Sequence, residues 1–175
     1  MVLQIVGSVF ILGSSCIAGA YYGNIESYKI RDLLEMKKAL AILKSEIQFS
    51  HSPLSEAVAN IADRTKSPIS NIFSSFSEIL YCSDKRSNDM SYLWEYCLNE
   101  HIKETYFDSF DIEQFTSFGK TLGYLDTGMQ LNSILIATDY IDSKIKILDE
   151  SKGKSKKLYQ SLGFIGGILA VVVFI

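Results

Sequence analysis

FTSFGKTLGYLDTGMQ, residues 115–130, contains the string Gly119-Lys120-Thr121, with which the phosphate-binding loop of many nucleotide hydrolases ends. A phosphate loop has the full pattern Gly-x-x-x-x-Gly-Lys-Thr and lies between a strand and a helix. The first glycine of that pattern would fall at position 114, which is Gln114. Phe115 and Phe118 are three residues apart, as on one face of a helix. The stretch therefore favours an all-α fold, and a nucleotide-binding or hydrolytic enzyme that uses Gly119-Lys120-Thr121 is the alternative.

The same stretch predicts a joint between two helices. Gly123 can end the first helix in the left-handed conformation, and Asp126 can cap the second. Gly119 allows a neighbouring helix to approach closely, because glycine has no β-carbon. The candidate residues for an interaction or a structural turn are Gly119, Leu122, Gly123, Asp126 and Gln130. A role in backbone geometry alone stays open for all of them.

Apolar residues recur every three or four positions through the rest of the interior, which predicts a helical bundle and no sheet. The first helix continues to about Phe49, residues 83–88 form a loop, and a long last helix starts near Asp126. The predicted core residues are Leu33, Met36, Leu40, Leu43, Ile47, Leu54, Ala57, Val58, Ile61, Ile69, Ile72, Phe73, Phe76, Leu80, Met90, Leu93, Trp94, Cys97, Leu98, Ile102, Ile112, Phe115, Phe118, Leu122, Ile134, Ile141, Ile145 and Leu148.

Three local signals predict where interior helices begin. Ser52 can act as an N-cap with Pro53 in the first helical turn, and the same arrangement repeats at Ser67-Pro68. Asp111 with Gln114 three residues later resembles a capping box that opens a fifth helix.

Both ends of the chain are apolar. Residues 2–22 carry no charged side chain and would span ~31 Å as a helix, close to the hydrocarbon thickness of a bilayer. Residues 158–175 are also uncharged and would span ~27 Å. We therefore expect transmembrane helices at 2–22 and 158–175 around a bundle domain at 24–157. A cleaved signal peptide and a lipoprotein anchored through Cys16 are the alternatives for the first segment.

Eleven of the 17 lysines and arginines lie in two blocks beside these apolar segments. The blocks are Lys29, Arg31, Lys37, Lys38 and Lys44 after the first segment, and Lys144, Lys146, Lys152, Lys154, Lys156 and Lys157 before the last. Basic residues accumulate on the cytoplasmic side of membranes. The pattern predicts a cell-membrane protein with two spans, a cytoplasmic bundle domain and both termini on the opposite side.

Four glycines in the apolar segments have the spacing that permits close contact between membrane helices. They form the pairs Gly19-x-x-x-Gly23 and Gly163-x-x-x-Gly167. The two segments can pack on each other, or on another subunit in a homo-oligomer.

The composition argues against several classes of chemistry. Between residues 45 and 143 there are 6 basic and 15 acidic side chains, which disfavours nucleic-acid binding and leaves a basic protein partner or a solvated surface. His51 and His101 are the only histidines, and neither has a partner at metal-ligand spacing. No cofactor, metal site or catalytic group is predicted. The three cysteines lack a Cys-x-x-Cys pair, so we expect small apolar core residues rather than disulfides.

Three stretches in this order and spacing resemble the stage III sporulation protein AB family of endospore-forming bacteria. They are SEIQFSHSPLSEA at 45–57, FGKTLG at 118–123 with Asp126 and Gln130 after it, and LYQSLGFIGG at 158–167. The resemblance covers essentially the whole chain and adds Glu46, Pro53 and Leu54 to the candidate interaction or turn residues.

The resemblance implies a non-enzymatic platform or assembly subunit in the mother-cell membrane, within a channel-like complex that joins mother cell and forespore. The family's soluble part is similar to the cytoplasmic helical domains of type II secretion F and pilus platform proteins, which work beside a cytoplasmic ATPase. The implied partners are the sporulation ATPase and other membrane subunits of that complex. This chain has Tyr124-Leu125-Asp126-Thr127 where the family usually has Thr-Ser-Asp-Arg, which puts any partner contact of that arginine in doubt.

Overall fold

The computed structural model describes residues 2–50, 53–82, 89–122 and 126–174. Over those residues the chain forms helices and short connections, without a strand. The elements are α1 (Val2–Ser45), a π-helical turn (Glu46–Ser50), α2 (Leu54–Arg64), α3 (Ile69–Cys82), α4 (Met90–His101), a 3-10 turn (Ile102–Glu104), α5 (Ser109–Gly119) and α6 (Thr127–Phe174). The prediction of an all-α fold is confirmed, and the loop expected at 83–88 lies outside the described residues.

The chain divides into two compact units. The terminal unit comprises Met1–Ile30 and Lys146–Ile175, and the central unit comprises Arg31–Ile145. The boundaries expected from the sequence, at 2–22, 24–157 and 158–175, follow apolar composition and stay a prediction.

Trp94 of α4 lies at the centre of the core of the central unit. Its ring contacts Phe73, Phe76 and Phe118, with centroid separations of 5.3, 5.5 and 5.9 Å. The indole N–H donates to the backbone oxygen of Phe115 at 2.8 Å. Because a buried indole N–H needs a hydrogen-bond partner, this bond and the tilted and edge-on ring contacts define the position of α4 against α3 and α5.

The core predicted from helical periodicity is largely the observed one. The buried members are Leu33, Met36, Leu40, Leu43, Ala57, Val58, Ile61, Ile69, Ile72, Phe73, Phe76, Leu93, Trp94, Cys97, Leu98, Phe115, Phe118, Leu122, Ile134 and Ile141. The half-buried members are Ile47, Leu54, Leu80, Met90, Ile102, Ile112, Ile145 and Leu148.

The start of α5 differs from the prediction. Asp108 is the N-cap residue, and its Oδ1 accepts hydrogen bonds from the backbone N–H groups of Phe110 and Asp111 at 3.0 Å each. Asp111 reaches back to accept from the N–H of Asp108 at 2.8 Å, which completes a capping box. The expected box of Asp111 and Gln114 is therefore wrong by one turn, because Asp111 is the reciprocal acceptor of a cap that starts earlier.

The starts of α2 and α3 also differ in detail. Pro53 occupies the N-cap position of α2 without a side-chain cap bond, and Ser52 lies outside the described residues. Pro68 follows a cis peptide bond in the turn before α3. The hydroxyl of Ser67 accepts from the side chain of Asn71 at 3.4 Å. The predicted N-cap at Ser67 is therefore wrong.

Candidate interaction site

The end of α5 is a tight turn. The backbone N–H groups of Thr121 and Leu122 donate to the oxygens of Phe118 and Gly119 at 3.0 and 3.1 Å, and Lys120 is exposed. A phosphate loop requires a preceding strand, whereas this string closes a helix. The turn also ends α5 before Gly123, which lies outside the described residues, so the helix end predicted at Gly123 was one turn too late.

Gly119 lies against the aromatic core. A β-carbon at this position would stand 2.6 Å from Nε1 of Trp94 and closer still to its Cδ1. Contacts under about 3.0 Å do not occur for real β-carbons, so any other residue would displace the indole or the helix. The expected close approach of a neighbouring helix at Gly119 is therefore present, and the neighbour is α4.

Asp126 caps α6 as predicted. Its Oδ1 accepts from the N–H groups of Gly128 and Met129 at 2.7 and 3.4 Å. The side-chain amide of Gln130 donates to the backbone oxygen of Leu122 at 3.3 Å. The structure thus brings Leu122, Asp126 and Gln130 together at one joint between α5 and α6.

A cavity of about 100 Å³ opens beside this joint. It is lined by Gln114, Ser117, Phe118 and Thr121 of α5 and the following turn, and by Ser133, Ile136 and Ala137 of α6. Met129, Leu135 and Ile136 expose more than half of their surface on the same part of α6. A buried cavity of ~150 Å³ admits benzene. This pocket is smaller and has room for a single side chain.

A polar cluster at the other end of α5 was missed by sequence reasoning. The Asp111 carboxylate is fully buried and accepts from the Tyr140 hydroxyl at 2.5 Å. Lys144 donates to Asp108 at 2.9 Å, and its Nζ lies 3.7 Å from Asp111. The sequence signal that could have indicated this cluster is the position of Asp111, on the same helical face as Phe115 and Phe118.

The cluster shifts the pKa values of two of its members. Burial raises the pKa of Tyr140 above its usual range, and the hydrogen bond to Asp111 raises it further. Burial lowers the pKa of Lys144, but the hydrogen bond to Asp108 and the charges of Asp111 and Asp108 outweigh this, and its pKa is raised. Both groups therefore stay protonated at neutral pH and tie α6 to the start of α5.

A second fully buried carboxylate, Asp32, lies in α1. It accepts from Arg31 at 2.9 Å and from the backbone N–H of Tyr106 at 3.0 Å. The bond to Tyr106 fixes α1 to the segment before α5. It was also missed, because Asp32 stands within an ordinary charged block of the sequence.

The other candidate residues from the sequence lie in different contacts. Glu46, in the π-helical turn, accepts from the side chain of Asn60 in α2 at 3.3 Å. Pro53 is exposed at the start of α2, and Leu54 is half-buried. The bond between Glu46 and Asn60 joins α2 to the turn after α1, whereas the joint residues connect α4, α5 and α6.

The four candidate glycines all lie at contacts between α1 and α6 within the terminal unit. A β-carbon at Gly19 would lie 3.2 Å from the α-carbon of Gly163, and one at Gly163 would lie 3.0 Å from that of Gly19. The hydroxyl of Ser15 donates to the backbone oxygen of Gly163 at 2.5 Å. Gly23 faces Lys156, and Gly167 faces Ser15. Their spacing lets the two backbones touch.

The histidines and cysteines lie in different environments. His101 is half-buried between Ser75 and Glu104, while His51 lies outside the described residues. Within the part of the chain that the structure describes, no group of His, Cys, Asp and Glu is arranged to hold a metal. Cys97 is buried, but Cys16 and Cys82 are exposed. A core role is therefore wrong for these two, because they lie on the outer faces of their helices.

Known proteins resemble this chain over almost its whole length. Residues 4–175 match the family described as Stage III sporulation protein AB (spore_III_AB). The chain belongs to this family. It is 29% identical over 171 residues to the Stage III sporulation protein AB of Bacillus subtilis (strain 168), covering 98% of both chains.

A solved structure of Stage III sporulation protein AB (SpoIIIAB) has the same fold. The TM-score is 0.65 at 28% identity, and the match covers 73% of this chain and 98% of that chain. The resemblance inferred from the three stretches is confirmed, and it supports a role in sporulation.

The apolar amino-terminal helix bears on membrane association. Among the described residues, one helical stretch, Val6–Phe49, which runs from α1 into the π-helical turn, is long and apolar enough to cross a membrane. The second span and the orientation of the chain stay predictions.

Proposed function

We propose that this chain is a non-enzymatic platform subunit of the sporulation channel complex between mother cell and forespore. In this proposal α1 and α6 anchor it in the mother-cell membrane. The central unit lies in the cytoplasm and docks the sporulation ATPase and other membrane subunits. Membership of the stage III sporulation protein AB family over residues 4–175 is the observation on which the proposal depends.

The geometry of the α5–α6 joint supports docking rather than catalysis. The Gly-Lys-Thr string closes a helix. The Trp94 indole packs against Gly119, so the backbone at this glycine does not form a phosphate-binding loop. The neighbouring cavity takes one side chain and is lined by exposed Ile136, while Met129 and Leu135 are exposed on the same part of α6. Exposed apolar residues around a small pocket are typical of protein interfaces.

Charge supports a basic partner surface. Residues 45–143 contain 15 acidic and 6 basic side chains, and complementary charge speeds encounter between proteins. An ATPase segment with an apolar anchor residue between lysines or arginines would fit this combination.

Co-purification from sporulating cells tests the proposal. The wild-type chain, extracted in mild detergent, should recover the ATPase. Ile136→Asp should reduce that recovery at least tenfold, because it places a charge at the mouth of the cavity. Ile136 is 57% exposed, so the change should leave the fold intact.

Ile147→Asp is the matched control, since Ile147 is an exposed isoleucine of the same helix at 63% exposure. It should recover the ATPase at the wild-type level. Failure of the wild-type chain to recover any complex subunit would refute the docking model. Nucleotide hydrolysis by the purified chain that is lost in Lys120→Ala would replace it with an enzymatic function.

A further inference from the structure

Side chains of the terminal unit are ordered along its helices. Apolar residues more than half exposed come first: Val9, Phe10 and Ile17 on α1, and Leu162, Ile165 and Leu169 on α6. Tyrosines follow, and lysines lie beyond them at 152–157. This order matches the layers of one leaflet of a bilayer, in which the hydrocarbon is followed by the interface and then by the charged headgroups.

Three tyrosines form a continuous cluster across the two helices. The ring centroids of Tyr21 and Tyr22 are 5.7 Å apart, and those of Tyr22 and Tyr159 are 6.2 Å apart. Each ring is about half exposed, which places an apolar face and a hydroxyl together on the surface. Amphipathic rings of this kind collect at the level of lipid headgroups.

Lys156 stands directly beside this cluster. Its backbone and Cγ lie against Gly23, next to Tyr22, and Tyr159 follows one helical turn later on the same face. Lys154 and Lys157 are three residues apart and lie together on the other side of α6, roughly 160° around the helix from Lys156 and Tyr159. All three lysines are exposed. Lys157 is two residues before Tyr159, a rise of ~3 Å, so the charges lie just beyond the aromatic level.

Basic side chains outnumber acidic ones in the terminal unit. The unit contains six basic and three acidic side chains. Asp149 pairs with Lys152 at 2.7 Å, and Glu26 accepts from Ser155 at 3.0 Å. A net positive surface therefore borders the tyrosine cluster.

We infer that Lys156, with Tyr22 and Tyr159, binds the headgroup of an anionic glycerophospholipid, and that Lys154 and Lys157 strengthen the attraction for anionic lipid from the other side of α6. Its phosphate would lie on Lys156, its glycerol region beside the tyrosine hydroxyls, and its acyl chains along the exposed apolar residues. The inference rests on the proposed function in one respect, because it requires α6 to enter the membrane.

Lipid competition on the full-length protein tests this site. The protein is placed in nanodiscs that contain phosphatidylglycerol and phosphatidylcholine in equal amounts, and the lipids retained after transfer to detergent are counted by native mass spectrometry. Wild type should retain phosphatidylglycerol. The variant Lys154→Gln/Lys156→Gln/Lys157→Gln should lose that preference by on the order of 100-fold at low salt, since each lysine near an anionic surface strengthens binding several-fold.

Arg64→Gln/Lys66→Gln/Lys103→Gln removes the same charge from the central unit and should retain the wild-type preference. An equal loss of the phosphatidylglycerol preference in both variants would overturn the site, because the preference would then depend on the net charge of the protein alone. Displacement of the lipid by inorganic phosphate alone would overturn it too, because the acyl chains would then contribute nothing.

The outcomes separate this inference from the proposed function. A chain that carbonate washing releases from membranes lacks its spans, and then both proposals fail. A chain that stays in the membrane and recovers the ATPase, but has no preference for the anionic lipid, overturns only the lipid site.

Discussion

At Gly119 a single missing β-carbon allows Trp94 to pack against the end of α5. We predict that Gly119→Ala destabilises the protein by about 1–3 kcal/mol, because the added methyl overlaps the indole and overpacks the core. Thermal and urea unfolding of the full chain in detergent would measure the loss.

Gly153→Ala is the matched control for that change. A β-carbon at Gly153, in the interior of α6, would meet no described atom within 4 Å. Since alanine favours helix by about 1 kcal/mol over glycine, this substitution should leave stability unchanged or raise it. Equal destabilisation by both substitutions would contradict the packing explanation.

Lys144 should make stability depend on pH in the alkaline range. Its pKa is raised in the folded protein, so its contribution is present below the unfolded-state value of 10.5 and is lost as the pH rises through the folded value. We predict that Lys144→Met lowers the free energy of unfolding by on the order of 1 kcal/mol at pH 7. The difference from wild type should shrink above pH 10.5.

Urea unfolding between pH 7 and 11 would follow that difference, with Lys146→Met as the control for a neighbouring exposed lysine. A gap between wild type and Lys144→Met that stays constant with pH would show that packing of the lysine stem, rather than its charge, is responsible.

At the scale of helices, the start of α6 depends on one carboxylate. Asp126→Ala removes the acceptor of the Gly128 and Met129 amides, and we predict a loss of about 1 kcal/mol. Asp126→Asn should recover most of it, because the amide oxygen can still accept. Chemical denaturation of the three proteins measures this, and an asparagine variant as unstable as the alanine variant would argue against capping.

Sequence reasoning predicted the elements better than their ends. The start of α6 was predictable because the signal for it, an aspartate before a periodic apolar run, is local. The start of α5 was not, because Asp108 and Asp111 are both plausible caps and the choice depends on Lys144 and Tyr140 in another helix. The residues of the joint were predictable as turn formers, whereas the cavity beside them arises from packing between helices.

At the scale of the whole molecule, the predicted orientation is testable by thiol labelling. In protoplasts that carry Cys16→Ala, a membrane-impermeant maleimide should not modify Cys82, which lies in the central unit, until the cells are lysed. Cysteine introduced by Ile175→Cys should react before lysis. Labelling of Cys82 in intact protoplasts would show that the central unit lies outside the cytoplasm, which contradicts the predicted orientation.

Cys97 provides an internal reference in that experiment. It is buried, and burial followed by the charge of Glu100 raises the pKa of its thiol to about 11. Because the thiolate is the reactive form, Cys97 should stay unmodified in the lysed native protein and react only after denaturation.

The packing around Trp94 has a practical consequence. Trp94 is the only tryptophan of the chain, and it contacts three phenylalanines while its N–H is bonded to Phe115. Its intrinsic fluorescence therefore reports on one known position without any label. Emission should be blue-shifted in the native protein and move to longer wavelength when α4 and α5 separate. Since Phe118 both touches Trp94 and lines the cavity of the joint, occupation of that cavity by a partner should change the emission spectrum.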